Sequence, residues 1–166
     1  PPMRLPLLAL FLGVSSLGAA PSVAAIRENL IRWEGYRLTP YKDPSGRATC
    51  VGVGHNLTAH RERVKPRYTA LEVERFLLRD IAAALDTCRA AVDRFDDLPD
   101  DVQLVCINVA FTCGRTGFMR FVNLRLTLRY RAYELAASEL GHSLWYRSQV
   151  SPARANWAYG VLKGQP

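Results

Sequence analysis

No segment of this sequence repeats itself and none is of low complexity, which excludes solenoids, propellers and fibrous arrays. Cys50, Cys88, Cys106 and Cys113 form no CxxC pair, and only His55, His60 and His142 accompany them as nitrogen ligands. No zinc site, metal centre or other cofactor is expected from that pattern. The sequence also lacks a long basic run. Its arginines are scattered singly, as in RERVKPR and LRLTLRYR, so nucleic acid is not the expected partner. The net charge of +7 and the pI near 9.6 still predict attraction to polyanions, including the acidic groups of bacterial cell walls. Charge is missing altogether from residues 5–26, which follow a single Arg4.

What is present reads as a globular chain, with an apolar fraction of 49% and a charged fraction of 22%. A length of 166 residues suits one domain plus a short appendage. The appendage is residues 1–25. A basic start, an apolar leucine stretch and the small-residue tail AAPSVAA describe a secretory signal, with cleavage after Ala20 or Ala24. The same stretch nearly matches the ~20 residues that span a bilayer, diluted by Pro6, Pro21, glycine, serine and alanine. Both readings take the domain of residues 26–166 out of the cytoplasm, to the periplasm or the medium.

Apolar residues at Val23, Ile26, Leu30 and Trp33 recur at helical spacing, and Gly35 stops that helix. Over residues 36–54 the period changes. Thr49, Val51 and Val53 alternate with Cys50, Gly52 and Gly54, as in a short strand approached closely on one face, and Asp43-Pro44-Ser45-Gly46 has the order of a type I turn. A capping box, Thr69-Ala-Leu-Glu72, opens the long helical pattern LEVERFLLRDIAAALDTCRAAV. Pro99 starts DDVQLVCINVAFTCG, apolar almost all round and therefore central, which Gly114 and Gly117 end. Shorter helices follow. The expected class is α+β, a small hairpin lobe at about 36–58 on a mostly helical body at about 69–162.

Glu34 falls on the last turn of the first helix, where unpaired carbonyls and the negative dipole end disfavour a carboxylate and favour a proton donor. Asp43 lies nine residues on, where a hairpin folding back against the helix end brings it to the same groove. Two carboxyls in different environments facing one groove are the equipment of glycoside hydrolysis. Taken singly, each has a plainer reading, Glu34 as a surface residue at a helix end and Asp43 as the first residue of a turn.

The combination is more specific. Glu34, Asp43 and Thr49 followed by Gly52-x-Gly54-His55, within WEGYRLTPYKDPSGRATCVGVGH, resembles the signature of the bacteriophage-type lysozymes, glycoside hydrolase family 24. The resemblance continues through VCINVAFTCGRTGFMRFVNL and SLWYRSQVSPARA, covering about residues 26–160. It implies a lysozyme-like fold and a muramidase, an endolysin cutting the β-1,4 bond between N-acetylmuramic acid and N-acetylglucosamine in peptidoglycan. It further implies Glu34 as general acid, Asp43 and Thr49 as the residues that hold and activate a water, and inversion at the anomeric carbon. His55 and Arg154 match positions near the catalytic glutamate. Asn56, Phe111 and Thr112 join the saccharide-binding set, with a core role for Phe111 equally open. An Arg beside Glu34 would favour its ionised form, against the helix dipole. Leu124-Arg125 after Asn123 departs from the small or hydroxylated residues usual there, and Cys50 after Thr49 is not an obligatory family feature. Some phage lysozymes of this kind carry a weakly hydrophobic segment that tethers them to the inner membrane and later slips out, and residues 5–26 look similar to it.

An even cysteine count in an exported chain permits disulfides, and Cys88 with Cys113 is the favoured pair, while Cys106 reads as a small core residue. The expected state is a monomer acting on peptidoglycan. A non-catalytic wall-binding module and a cationic membrane-active protein are the rival readings. The first has no need for the Glu34, Asp43 and Thr49 spacing, and the second would keep its activity without either carboxyl.

Overall fold

The computed structural model describes residues 20–43 and 46–165. Most of the expected export segment, and the turn residues Pro44 and Ser45, lie outside the described residues. No helix among the described residues is long and apolar enough to cross a membrane.

Helix α1 (Val23–Glu34) begins where Ser22 caps it, the hydroxyl accepting from the Ala25 N–H at 3.1 Å. The cap lies beyond Ala20 but before Ala24, so cleavage after Ala20 would leave α1 intact and cleavage after Ala24 would remove its first turn. Gly35 ends α1 at φ 77°, its N–H returning to the Ile31 carbonyl. The chain then forms a three-stranded antiparallel sheet, β1 (Arg37–Lys42), β2 (Thr49–Gly52) and β3 (His55–Asn56), in the order β1-β2-β3. This is one short strand more than a hairpin. The β1–β2 turn is closed by the Gly46 N–H on the Asp43 carbonyl at 2.8 Å, with Gly46 at φ 72°. Alternation fails in β2 because Cys50, Val51 and Gly52 are all buried. Gly52 explains why. At φ 67° it lies against the next helix, and a Cβ there would sit 2.7 Å from Val73 Cγ1.

Helix α2 (Ala70–Ala91) carries the complete capping box and buries Val73, Leu77, Ile81, Ala84 and Cys88, one face at helical spacing. After a 3₁₀ turn at Phe95–Asp97, α3 (Asp100–Met119) runs antiparallel to it through the core. Gly114 breaks α3 at φ 64° and ψ 177°, as its sequence predicts, but the chain resumes a helical course past Gly117 to Met119. Helices α4 (Val122–Arg129), α5 (Tyr133–His142) and α6 (Pro152–Lys163), with a π turn at Trp145–Gln149, complete the body. The fold is α+β, mainly helical. One apolar core joins α1 to the body through Ile26 and Leu30, while Val51, Leu57, Tyr68 and Val73 form a second cluster under the sheet. Each such fully buried side chain contributes ~1.5–3 kcal/mol.

The Cys88–Cys113 disulfide is not formed, and all four cysteines are free thiols. The antiparallel register is the reason. Cys88 sits near the end of α2 beside the start of α3, where its neighbour is Cys106, whose charge together with the larger effect of burial holds the Cys88 thiol far above its usual value. Cys113 is two turns further along α3 and points its sulfur to Gln149 at 3.6 Å. Leu124 is buried in the core and Arg125 reaches back to the Ala91 carbonyl at 3.2 Å, so neither lines the clefts described next.

Candidate active site

Glu34 is the last residue of α1, and the reversal at Gly35 leaves its carboxyl at the junction of the sheet and the helical body. Arg154, on the first turn of α6, donates from Nη1 to Glu34 Oε1 at 2.5 Å. The guanidinium is almost wholly buried, at 4% side-chain exposure against 24% for Glu34. Its other donors are used as well. Nε reaches Asn108 Oδ1 at 3.0 Å and Nη2 reaches Thr112 Oγ1 at 3.0 Å. Asn108 in turn donates to Asn29 Oδ1 at 2.6 Å and to the Leu104 carbonyl, and the Thr112 hydroxyl donates to the Asn108 carbonyl. A planar fork with three separate acceptors has one orientation, and a lysine could not reproduce it. One carboxyl oxygen of Glu34 is thereby fixed. The other, Oε2, faces Gly54, 3.6 Å from where a Cβ on that glycine would lie.

Asp43 ends β1, and its Oδ1 accepts from the Ala48 N–H at 2.9 Å. Its charge and that of Glu34 are both felt by Cys50, whose thiol is pushed up first by burial, then by Asp43, then by Glu34. Both carboxyls are therefore near enough to the same buried sulfur on β2 to act on it. Thr49 immediately precedes it, with Oγ1 accepting from Lys42 Nζ at 3.0 Å and its N–H bonded to Thr58. Tyr41 completes this side. Burial, then the nearby Cys50 and Glu34, push its phenol up, while Arg37, stacked 4.7 Å from the ring centroid, and a Gly54 backbone hydrogen bond act the other way.

Two clefts border these elements. The first, 520 Å³, is lined by Gly54, Asn56, Asp80 and Phe111 among others, and the second, 810 Å³, by Asp43, Thr112, Cys113 and Trp145. Their sizes are those of ligand sites. Glu34 is linked to both, through Gly54 on one side and through Arg154 and Thr112 on the other. Phe111 lies half-buried, touching the core and the cleft together. Asn56 lines the first cleft while its Oδ1 accepts from the Ala59 N–H.

His55 is turned elsewhere. It is 2% exposed, with Nδ1 at 2.7 Å from Asp80 Oδ2 and Nε2 at 3.2 Å from Glu62 Oε2. Arg79 Nη2 lies 3.0 Å from the same Nε2 and donates to Glu62 Oε1 at 2.8 Å. The imidazole stacks on Phe76 at 4.5 Å and on His60 at 4.6 Å. Its polar bonds thus tie the sheet to α2 and not to Glu34.

Sequence reasoning missed Tyr41, Asn108 and Asp80. Asn108 had a signal, since it is a polar residue on a helix otherwise apolar nearly all round. Asp80 had none, because its importance comes only from the packing of α2 under β3.

Glu34 thus stands at a helix end, held by an arginine at Oε1 and with Oε2 toward Gly54 on the wall of the first cleft. The sequence matches the Phage lysozyme family over residues 31–154, from the helix carrying Glu34 to Arg154 itself. The chain belongs to the phage lysozymes, glycoside hydrolases that act on peptidoglycan.

Proposed function

We propose that this lysozyme cleaves the β-1,4 bond between N-acetylmuramic acid and N-acetylglucosamine with inversion, Glu34 acting as general acid and Asp43 with Thr49 holding the attacking water. The observation that carries this reading is the asymmetric carboxyl of Glu34, with Oε1 held by Arg154 and Oε2 facing the cleft at Gly54. Oε2 is the oxygen placed to deliver a proton to the glycosidic oxygen, since Oε1 is occupied by the guanidinium. As the C–O bond breaks, that proton passes to the leaving hydroxyl, and positive charge develops on the sugar ring. Asp43 takes a proton from the water as its oxygen bonds to the anomeric carbon. Thr49 orients that water through its hydroxyl. Arg154 acts as a positioning residue, and Phe111, Asn56 and Thr112 line the path of the saccharide. Acting on wall polymer requires a location outside the cytoplasm, and the basic surface favours retention on an anionic wall.

Glu34→Gln keeps the shape and the acceptor for Arg154 but removes the proton donor. Release of reducing ends from purified peptidoglycan should fall at least ~10²-fold with folding nearly unchanged. Clearance at the wild-type rate would sink the assignment of Glu34. For the wild type, proton NMR of early product should show the α-anomer first. A β-anomer appearing first would mean a retaining enzyme, with Asp43 in another role.

A further inference from the structure

Beside the active site, the described residues place His55, His60 and Asp80 so that one donor atom from each lies within 4.8 Å of the others. The hydrolysis uses none of the three. We propose that they form a binding site for a divalent transition metal of the zinc class, clamping the sheet lobe to α2 at the wall of the first cleft.

The donor set is two imidazoles and a carboxylate, which suits Zn²⁺ and its neighbours rather than Mg²⁺ or Ca²⁺. The three residues come from three places, β3, the following turn and the middle of α2, so no spacing in the sequence announces them. His55 is already fixed for the task. Its ring is 2% exposed and stacked on Phe76 at 4.5 Å, a contact that binding leaves in place, so little entropy remains to be lost there. Nδ1 faces Asp80 Oδ2 at 2.7 Å, which makes that edge the ligating one. The opposite nitrogen, Nε2, has Glu62 Oε2 at 3.2 Å. With Nδ1 on the metal, the ring proton resides on Nε2 and is donated to Glu62, the outer carboxylate that metal-bound histidines commonly have. Arg79 holds the other oxygen of Glu62, and its Nη2, 3.0 Å from an Nε2 that accepts in the metal-free chain, must withdraw from that nitrogen when the metal moves the ring proton there.

Tetrahedral N and O ligands at their usual bond lengths lie ~3.4 Å apart, so the cluster must tighten slightly. His60, the exposed member of the three, supplies that movement by leaving its stack on His55, since the in-plane lone pairs of two face-to-face rings do not converge on one ion. Around the three ligands the carboxylates outnumber the guanidiniums, which are Arg115 on the cleft wall and Arg79 beside Nε2. Asp80 and Asp86 line this cleft, and Glu62 stands behind His55, within a protein whose overall charge is +7.

The test is a titration of the metal-free full chain with ZnCl₂ against a competing chromophoric chelator, repeated with CoCl₂ and read from its visible absorption. One zinc should bind per chain. His60→Ala, a change at an exposed residue, should weaken it at least ~10-fold, as should Asp80→Asn. His142→Ala, which alters the remaining histidine, should leave it unchanged. Binding that does not saturate, or that is equally tight in wild type and His60→Ala, would overturn the site. Cobalt spectra dominated by thiolate bands would do the same, since they would move the metal to Cys113 or another cysteine.

Discussion

Arg154 and His55 each bring a nitrogen-rich side chain into the interior beside carboxylates, and the two surroundings are built to different ends. Arg154 spends two of its three hydrogen bonds on the neutral oxygens of Asn108 and Thr112 and one on Glu34, so the carboxyl it holds keeps a free oxygen toward the cleft. His55 has a carboxylate at each ring nitrogen and an aromatic ring on each face, so in the metal-free chain both nitrogens are engaged in holding neighbouring elements together. One arrangement aims a reactive group, and the other fastens β3 to α2. A second difference lies in the partners. Asn108 is fully buried, whereas the Asp80 and Glu62 side chains are 19% and 24% exposed and can recover water if His55 is lost.

That contrast sets the sizes of the expected effects. Arg154→Met should be the most damaging, costing about 3 kcal/mol in urea unfolding, because Asn108 and Thr112 lose buried partners and Glu34 its counter-charge. Peptidoglycan hydrolysis should fall with it, and Arg154→Lys should not restore either, since an ammonium cannot meet three spread acceptors. His55→Leu should cost less, about 1–2 kcal/mol, because its carboxylates rehydrate and part of the stacking surface is retained. A larger loss for His55→Leu than for Arg154→Met would reverse the comparison.

The smallest effect is a pH dependence. Burial works to raise the Glu62 carboxyl, but hydrogen bonding to Arg79, followed by the charge and hydrogen bond of His55, outweigh it and leave the group below its ordinary value. A lowered folded value means stabilisation that is full above the unfolded carboxylate range and disappears as pH falls through it to the folded value. Glu62→Gln should therefore flatten the acid limb of the stability curve, by less than ~1 kcal/mol because its main partner, Arg79, is half exposed to water. Urea midpoints measured from neutral to acidic pH would show it, and an unchanged acid limb would remove Glu62 from the His55 network.

The sequence by itself determined the elements whose causes are local. Ser22 and Gly35 bound α1, the Thr69 and Glu72 capping box starts α2, and Gly114 breaks α3, each through backbone groups within a few residues. The set Glu34, Asp43 and Thr49 stood out through its resemblance to the phage lysozyme signature, since each residue taken singly has a plainer local reading. The third strand was not legible, since a two-residue β3 has no period to read and forms only by pairing with β2. Tertiary structure alone decided what each side chain meets. It brought Arg154 across 120 positions to Glu34 and turned His55 toward α2. It also set Cys88 beside Cys106 instead of Cys113. These outcomes depend on the register of packed helices, and a shift of one turn, which leaves local propensities untouched, would have changed every one of them.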